Sequence, residues 1–181
     1  IKNPLINGTS NLLTASSASG VYGLRLTGAA TTTMSVSVDG QVRQTIGVGS
    51  TAVGKIISYD PITKILRYWQ DRDLATDSST GSKPTYGYRL NKFTSSPGTG
   101  GSVNVVVTTT TGTETVGIET TFTGVSTTVN SKTYYFGQTF NSGLAQPEIQ
   151  EYSGEIIYVD NRPEVTRATN QREDIKIVLE F

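Results

Sequence analysis

Short runs of alternating apolar and polar residues, separated by turn residues, recur along this chain and limit the folds open to it. In residues 31–47, apolar side chains alternate with polar ones on both sides of Asp39-Gly40. An alternation of period two places the apolar side chains on one face of a β-strand. Asp-Gly between two such runs predicts a two-residue hairpin, because both turn positions need positive φ. We therefore predict a hairpin that reverses at Asp39-Gly40.

Further stretches repeat this plan. Residues 52–69 turn at Asp60-Pro61, because proline presets the φ of the first corner of a type I turn. Residues 103–107 and 116–122 form another alternating pair, and residues 132–140 supply an aromatic strand. In the second hairpin, the side chains expected to pack across the pair are Ile57, Tyr59, Ile65 and Tyr68. The chain is thus predicted to be all-β, with antiparallel hairpins forming one or two β-sandwich or barrel-like units and little helix.

Two loops suggest how the chain is divided. Residues 71–84 collect Asp, Ser, Thr, Gly and Pro without period, and residues 95–101 read SSPGTGG. We place a boundary at the second loop, which gives an N-terminal β-hairpin region, 1–97, and a C-terminal β region, 98–181. Because the chain begins with Ile1 and its single methionine is Met34, we expect it to be the C-terminal part of a longer protein.

Composition narrows the function classes. The chain contains neither cysteine nor histidine, which excludes disulfides, thiolate metal sites and nucleophile arrangements that depend on a histidine base. Its formal net charge is zero, so no long-range field gathers nucleic acid or an acidic membrane. No apolar run is long enough to span a bilayer. We therefore expect no enzyme activity, no cofactor, no bound metal, and neither nucleic acid nor a membrane as a partner.

Two groups of carboxylates remain as candidates for chemistry. The first group, in residues 71–77, could bind calcium through oxygen ligands. It lacks the glycine and the bidentate glutamate of an EF-hand loop, so a solvated acidic turn is the simpler interpretation. The second group, in residues 155–174, could supply the paired carboxylates of a glycoside hydrolase. Ion pairs with Arg162 and Arg172 account for these acidic residues without a catalytic cleft. The first group is Asp71, Asp73 and Asp77, and the second is Glu155, Asp160, Glu173 and Asp174.

Residues 152–181 carry the most specific pattern in the chain. Their distinguishing positions are Ser153, Gly154, Glu155, Tyr158, Asn161, Arg162, Pro163, Gln171, Glu173 and the closing Phe181. This arrangement resembles the C-terminal region of the dimeric baseplate wedge subunit of contractile-tail phages, the myoviruses. Upstream of Tyr152 no corresponding pattern is present.

The resemblance implies a structural virion protein of the tail baseplate, assembled in the host cytoplasm. Its partners would be a second copy of itself, as a homodimer, and other baseplate wedge subunits, and it would act in assembly and in baseplate rearrangement. Within the motif, the Arg162 guanidinium can form a bidentate ion pair with a carboxylate such as Glu155, either inside one chain or between subunits. Strand addition through the valine-rich residues 102–111 is a further way to contact a partner.

A different class of function also fits the residues. A carbohydrate-binding β module, such as a tail adhesin or a capsid decoration domain, would stack exposed rings on sugar faces. The aromatic candidates for that platform are Tyr68, Trp69, Tyr86, Tyr88, Tyr134 and Tyr135. Packing in the core, rather than a ligand platform, is the simpler interpretation of rings such as Tyr68. A glycosidase that uses the second carboxylate group ranks third.

Overall fold

The computed structural model describes residues 3–14, 18–70, 91–150 and 153–154. In these residues the chain forms nine antiparallel strands and one short 3-10 helix, Ala29–Thr32. The strands are β1 (Tyr22–Thr27), β2 (Gln41–Gly47), β3 (Ser50–Asp60), β4 (Ile65–Trp69), β5 (Asn104–Thr109), β6 (Gly112–Ile118), β7 (Gly124–Val129), β8 (Lys132–Asn141) and β9 (Leu144–Ala145). The all-β prediction is confirmed.

Six of these strands close into a barrel. Their order around the barrel is β1, β4, β3, β2, β5 and β6, and β6 pairs with β1 to complete the circle. Closure gives every barrel strand a hydrogen-bonded neighbour on both sides, which is why such barrels leave no sheet edge of their own. The barrel-like unit that the hairpin pattern predicts is therefore present.

The barrel interior is filled by the apolar residues that alternate along its strands. The fully buried members include Leu24, Leu26, Val42, Ala52, Ile56, Leu66, Tyr68, Val105 and Val107. Val105 and Val107 follow the loop at residues 95–101, whereas the other residues precede it. Sequence on both sides of that loop thus contributes to one hydrophobic core.

The second predicted hairpin is confirmed as β3 and β4. Its turn is closed by the Asp60 carboxylate, which accepts hydrogen bonds from the Ile62 amide at 2.9 Å and the Thr63 hydroxyl at 2.6 Å. The expected packing of Ile57 is wrong, because the β3–β4 register shifts between Ile56 and Ser58. This bulge turns Ile57 outwards, 37% exposed, and buries Ile56 instead.

The predicted hairpin at Asp39-Gly40 is wrong, although the chain does turn there. Gly40 donates to the Ser37 carbonyl at 3.1 Å, and Asp39 has a φ of 65°. The two flanking segments do not pair with each other, because both pair with β5: Val36 bridges Thr109, and β2 continues along the same strand. The turn is therefore a large bulge between two segments that both pair with β5. The hairpin partner of β2 is β3.

Strands β7, β8 and β9 form a three-stranded sheet that we call the arm. The arm joins the barrel where β9 pairs with Gly23 and Leu24 of β1, next to the residues of β1 that pair with β6. A second apolar cluster lies between the arm and the outer wall of the barrel. It consists of Ile65, Phe136, Phe140 and Ala145, with Phe122 and Tyr134 packed against it.

Gly23 allows the arm to lie this close to the barrel. The Phe140 ring packs over Gly23, and a β-carbon added there would lie 2.8 Å from Phe140 Cζ and 3.3 Å from the β-carbon of Ala145. Real β-carbons essentially never come within 3.0 Å of another atom, so the contact with Cζ requires Phe140 or the main chain to move. A side chain at this position would therefore separate β8 from the barrel wall.

Candidate functional site

Two of the ten positions in the terminal motif, Ser153 and Gly154, fall within the described residues. The Ser153 hydroxyl accepts a hydrogen bond from the Leu5 amide at 2.9 Å and donates one to the Gln150 carbonyl at 2.7 Å. Gly154 has a φ of 83°, a conformation that favours glycine. The other motif positions, Glu155, Tyr158, Asn161, Arg162, Pro163, Gln171, Glu173 and Phe181, lie outside the described residues.

The contacts of Ser153 belong to a larger set that binds the start of the chain to residues 147–153. The Asn7 amide donates to the Glu148 carbonyl and its side chain donates to the Pro147 carbonyl, both at 2.8 Å. The Gln150 amide donates to the Leu5 carbonyl at 2.8 Å. Ser153 therefore acts within one chain, and it fixes the point at which the terminal segment begins.

The arm is bound to the barrel by a buried polar network centred on Gln138. Its amide nitrogen donates to the Val21 carbonyl at 2.6 Å and to the Gln146 carbonyl at 3.2 Å. Its amide oxygen accepts from Arg67, whose guanidinium also donates to the Phe136 carbonyl at 2.6 Å. Because Gln138 is buried with its donors and acceptor satisfied, it stabilises one particular placement of the arm.

Arg25 makes a second buried connection on the same wall. Its Nε donates to the Glu119 carboxylate at 2.9 Å, and its guanidinium carbon lies 4.7 Å from the centre of the Phe122 ring. Its Nη2 reaches the Thr127 hydroxyl of β7 at 3.5 Å. An arginine so placed combines an ion pair with a cation–π contact, and it links β1 to the arm.

A cleft of about 200 Å³ lies between the β3–β4 turn and β8. It is lined by Ser58, Tyr59, Asp60, Thr63, Ile65, Arg67, Tyr134, Tyr135 and Phe136. Most of its polar groups already have partners within the chain. The Tyr59 hydroxyl donates to the Thr31 carbonyl, and burial, assisted by the Asp60 carboxylate, raises the pKa of Tyr59 to about 12. Tyr59 is therefore a neutral hydrogen-bond donor at ordinary pH, not a general base.

The aromatic residues proposed as a sugar platform are distributed between core and surface. Tyr68 is buried, stacked on Tyr22 at 5.3 Å and in contact with the edge of Phe93, so its expected role as a platform ring is wrong. Trp69 is 36% exposed and Tyr135 is 79% exposed, while Tyr134 is half-buried. Tyr86 and Tyr88 lie outside the described residues.

Among the strands that the structure describes, β7 supplies the one sheet edge without a neighbour. The sequence predicted no strand at residues 124–129, where three consecutive polar residues break the alternation. The strand ends at Asn130-Ser131, and both of these residues adopt positive φ, 49° and 61°. Positive φ at both turn residues is the type I′ conformation, and asparagine is favoured at its first position. The expectation that residues 102–111 add to a partner's sheet is wrong, because β5 is already paired on both sides, with β2 and β6.

The acidic groups singled out in the sequence are not among the residues that the structure describes. Asp71, Asp73 and Asp77 lie outside the described residues, as do Glu155, Asp160, Glu173 and Asp174. Across 3–14, 18–70, 91–150 and 153–154, no three potential metal ligands come together. In those same ranges no helix has the length and apolar character to cross a membrane.

Comparison with known proteins gives no match among protein-family models, curated proteins or solved structures.

Proposed function

We propose that this protein is a structural virion component, a baseplate wedge subunit of a contractile phage tail. It acts through contacts with a second copy of itself and with other wedge subunits, in assembly and in rearrangement of the baseplate. The observation that carries this proposal is the motif in residues 152–181, from Ser153 to the closing Phe181.

Features of the described residues are compatible with a role based on contacts. The barrel interior is packed with side chains, as in other small barrels, so binding falls to the outer surface and the arm. The arm is bound to the barrel by Gln138, Arg67 and Arg25, and it ends in an unpaired strand. A firmly attached sheet with a free edge suits a subunit that transmits force, because bending it breaks several buried hydrogen bonds at once.

The attachment of Ser153 also supports the proposal. Leu5 and Gln150 fix this residue to the body of the protein, so a partner that binds the following residues gains a firm connection to the barrel. Permanent interfaces in such assemblies bury on the order of 2,000 Å² or more and need no cofactor.

Deletion of residues 155–181 tests the proposal. The truncated chain is expected to keep its barrel, reported by the fluorescence of Trp69 and by a cooperative thermal transition, but to be absent from assembled wedges.

A matched control replaces Arg43, an exposed barrel arginine, by alanine, whereas the test variant replaces Arg162 by alanine in the 181-residue chain. Crosslinking of intact particles followed by peptide mass spectrometry is expected to join Lys132 or Lys176 to other tail subunits. Normal incorporation of the truncated chain, with no such crosslinks, would overturn the proposal.

A carbohydrate-binding module is the second candidate, favoured by one observation. Tyr135 is the most exposed aromatic ring among the described residues, and it borders the cleft that Tyr134 and Arg67 also line. A ring in this position can stack on a sugar face. Binding to a glycan array is then expected to be lost in Tyr135→Ala and retained in Tyr135→Phe. Equal binding by both variants, or none by the wild-type chain, excludes this site.

A further inference from the structure

The free edge of β7 offers a defined set of main-chain groups. In a two-residue hairpin the residues flanking the turn exchange main-chain hydrogen bonds, and bonded and non-bonded pairs alternate from there. Here the flanking pair is Val129 with Lys132, followed by Thr128 with Thr133, Thr127 with Tyr134 and Ser126 with Tyr135. The N–H and C=O groups of Ser126 and Thr128 therefore point away from β8, towards the free edge.

The side chains agree with this assignment. Pairs without main-chain hydrogen bonds bring their side chains closer together, and the hydroxyl oxygens of Thr128 and Thr133 lie 3.2 Å apart. Thr127 faces the barrel instead, within 3.5 Å of the Arg25 guanidinium. Within the described part of the chain, no partner occupies the outward main-chain groups of Ser126 and Thr128.

One feature that can protect a sheet edge is present, a register shift between Gly124 and Ser126, but it lies at one end and leaves residues 126–129 regularly paired with β8. Residues 124–129 contain no charge and no proline, and Val125 next to the regular ladder is 49% exposed. Natural proteins protect long-lived free edges with lysine, proline or inward-pointing charges. An edge without them is expected to be covered in the working state of the protein.

We propose that β7 pairs with β7 of a second copy, antiparallel, about a two-fold axis at Thr127. The inference rests on the proposed function in taking a second copy as the partner, and it locates that contact on the arm. Ser126 of each chain then lies opposite Thr128 of the other, and each of these pairs exchanges two main-chain hydrogen bonds. The two arms become one continuous six-stranded sheet.

The sequence of β7 fits itself better than it fits an arbitrary strand. In a two-fold pair every residue near the axis meets its own kind or a near neighbour, so any charge there would meet a like charge. β7 has none. Its outward positions are both hydroxyl residues, which can extend the Thr133–Thr128 contact across the axis to Ser126 of the second copy.

The same register also covers apolar surface. Val125 lines a groove of about 270 Å³ beside β8, together with Tyr135 and Gln138. Continuing the two-fold pairing by two residues brings Val129 of the second copy opposite Val125, at the rim of this groove. The main-chain ladder is then flanked by a small apolar contact at each end.

Sedimentation equilibrium of the isolated 181-residue chain over a concentration series tests the pairing. The wild-type chain is expected to reach twice its mass of 19.4 kDa. The variant Ser126→Lys with Thr128→Lys places lysines opposite lysines and is expected to stay at the monomer mass. A control with Thr113→Lys and Thr115→Lys adds the same charge to exposed positions of the barrel strand β6 and is expected to remain dimeric. Mixing the lysine variant with Ser126→Glu plus Thr128→Glu is expected to restore a dimer.

Amide hydrogen exchange gives a test that needs no variant. The Ser126 and Thr128 amides are expected to exchange more slowly as the protein concentration rises, whereas the Thr127 amide, already bonded to β8, changes less. A monomeric wild-type chain, a folded lysine variant that remains dimeric, or exchange at Ser126 and Thr128 that is independent of concentration overturns the proposal. These outcomes concern the isolated chain, so they are distinguishable from a failure of the wedge proposal, which is tested in the particle.

Discussion

Replacing Gly23 by alanine is expected to destabilise the protein through a single close contact. The added β-carbon would lie 2.8 Å from Cζ and 3.2 Å from Cε1 of Phe140, a fully buried ring. Overpacking of this kind costs about 1–3 kcal/mol. Loss of glycine from the unfolded chain returns about 0.4–1 kcal/mol, because alanine has fewer unfolded conformations. The net expectation is a loss of about 1–2 kcal/mol in the free energy of unfolding.

A second substitution isolates this contact. Leucine at position 140 lacks both ring atoms that the new β-carbon would meet, and on its own Phe140→Leu costs on the order of 1–2 kcal/mol for the lost packing. In the Phe140→Leu background, Gly23→Ala is then expected to range from neutral to about 1 kcal/mol stabilising. The coupling between the two sites is therefore about 1–3 kcal/mol, well above the scatter of independent sites.

Equilibrium unfolding in urea, followed by Trp69 fluorescence and circular dichroism, measures all four members of the cycle. Gly20→Ala is the control, because a β-carbon at Gly20 would meet nothing within 4 Å. Its effect is expected to be neutral or slightly stabilising. Additive effects of Gly23→Ala and Phe140→Leu would refute the reasoning, since they would show that the ring does not rest on Gly23.

Two further predictions concern the buried polar groups. Burial and the Asp60 carboxylate raise the pKa of Tyr59 from 10.0 to about 12, so between these pH values the unfolded state releases a proton that the folded state keeps. The stability that Tyr59 contributes is therefore complete below about pH 10 and falls as the pH rises towards 12. Tyr59→Phe is expected to flatten the slope of the unfolding free energy against pH in this range, and an unchanged slope contradicts the assignment. Gln138→Leu leaves Arg67 and the Val21 and Gln146 carbonyls without their partner, so urea unfolding is expected to show a loss of about 3 kcal/mol or more, and a loss below about 1 kcal/mol would be inconsistent with the network.

Local sequence signals predicted single hairpins well where the turn chemistry decided the outcome. Asp60-Pro61 lies between β3 and β4, which pair with each other up to the turn, and the Asp60 carboxylate closes that turn. Asp39-Gly40 carries an equally strong signal, yet it forms a bulge. There both flanking runs pair with the neighbouring strand β5, Val36 with Thr109 and Val42 with Val107. The competition was decided by a strand more than sixty residues away, which no local pattern contains.

The parts that link distant residues could not be predicted. Arg25 and Arg67 look like ordinary outward residues of alternating strands, and they are outward with respect to the barrel. They are covered because the arm lies over that wall, and the arm depends on the pairing of β9 with β1. Of the candidate site, Ser153 is visible in the structure as an internal hydrogen-bonding residue, a role that spacing within the motif does not indicate.

The partners of β1 determine when the molecule can fold during its own synthesis. The first strand needs β4, then Ile118 of β6, and finally Leu144 and Ala145 of β9. β6 is completed roughly fifty residues after β4, so at ribosomal rates β1 waits roughly 2–10 s with an open edge. Contacts this distant in sequence also make barrel closure slow. During synthesis the open edge of β1 can therefore pair with strands of other nascent chains. The yield of folded protein should depend on how quickly the second half of the message is translated.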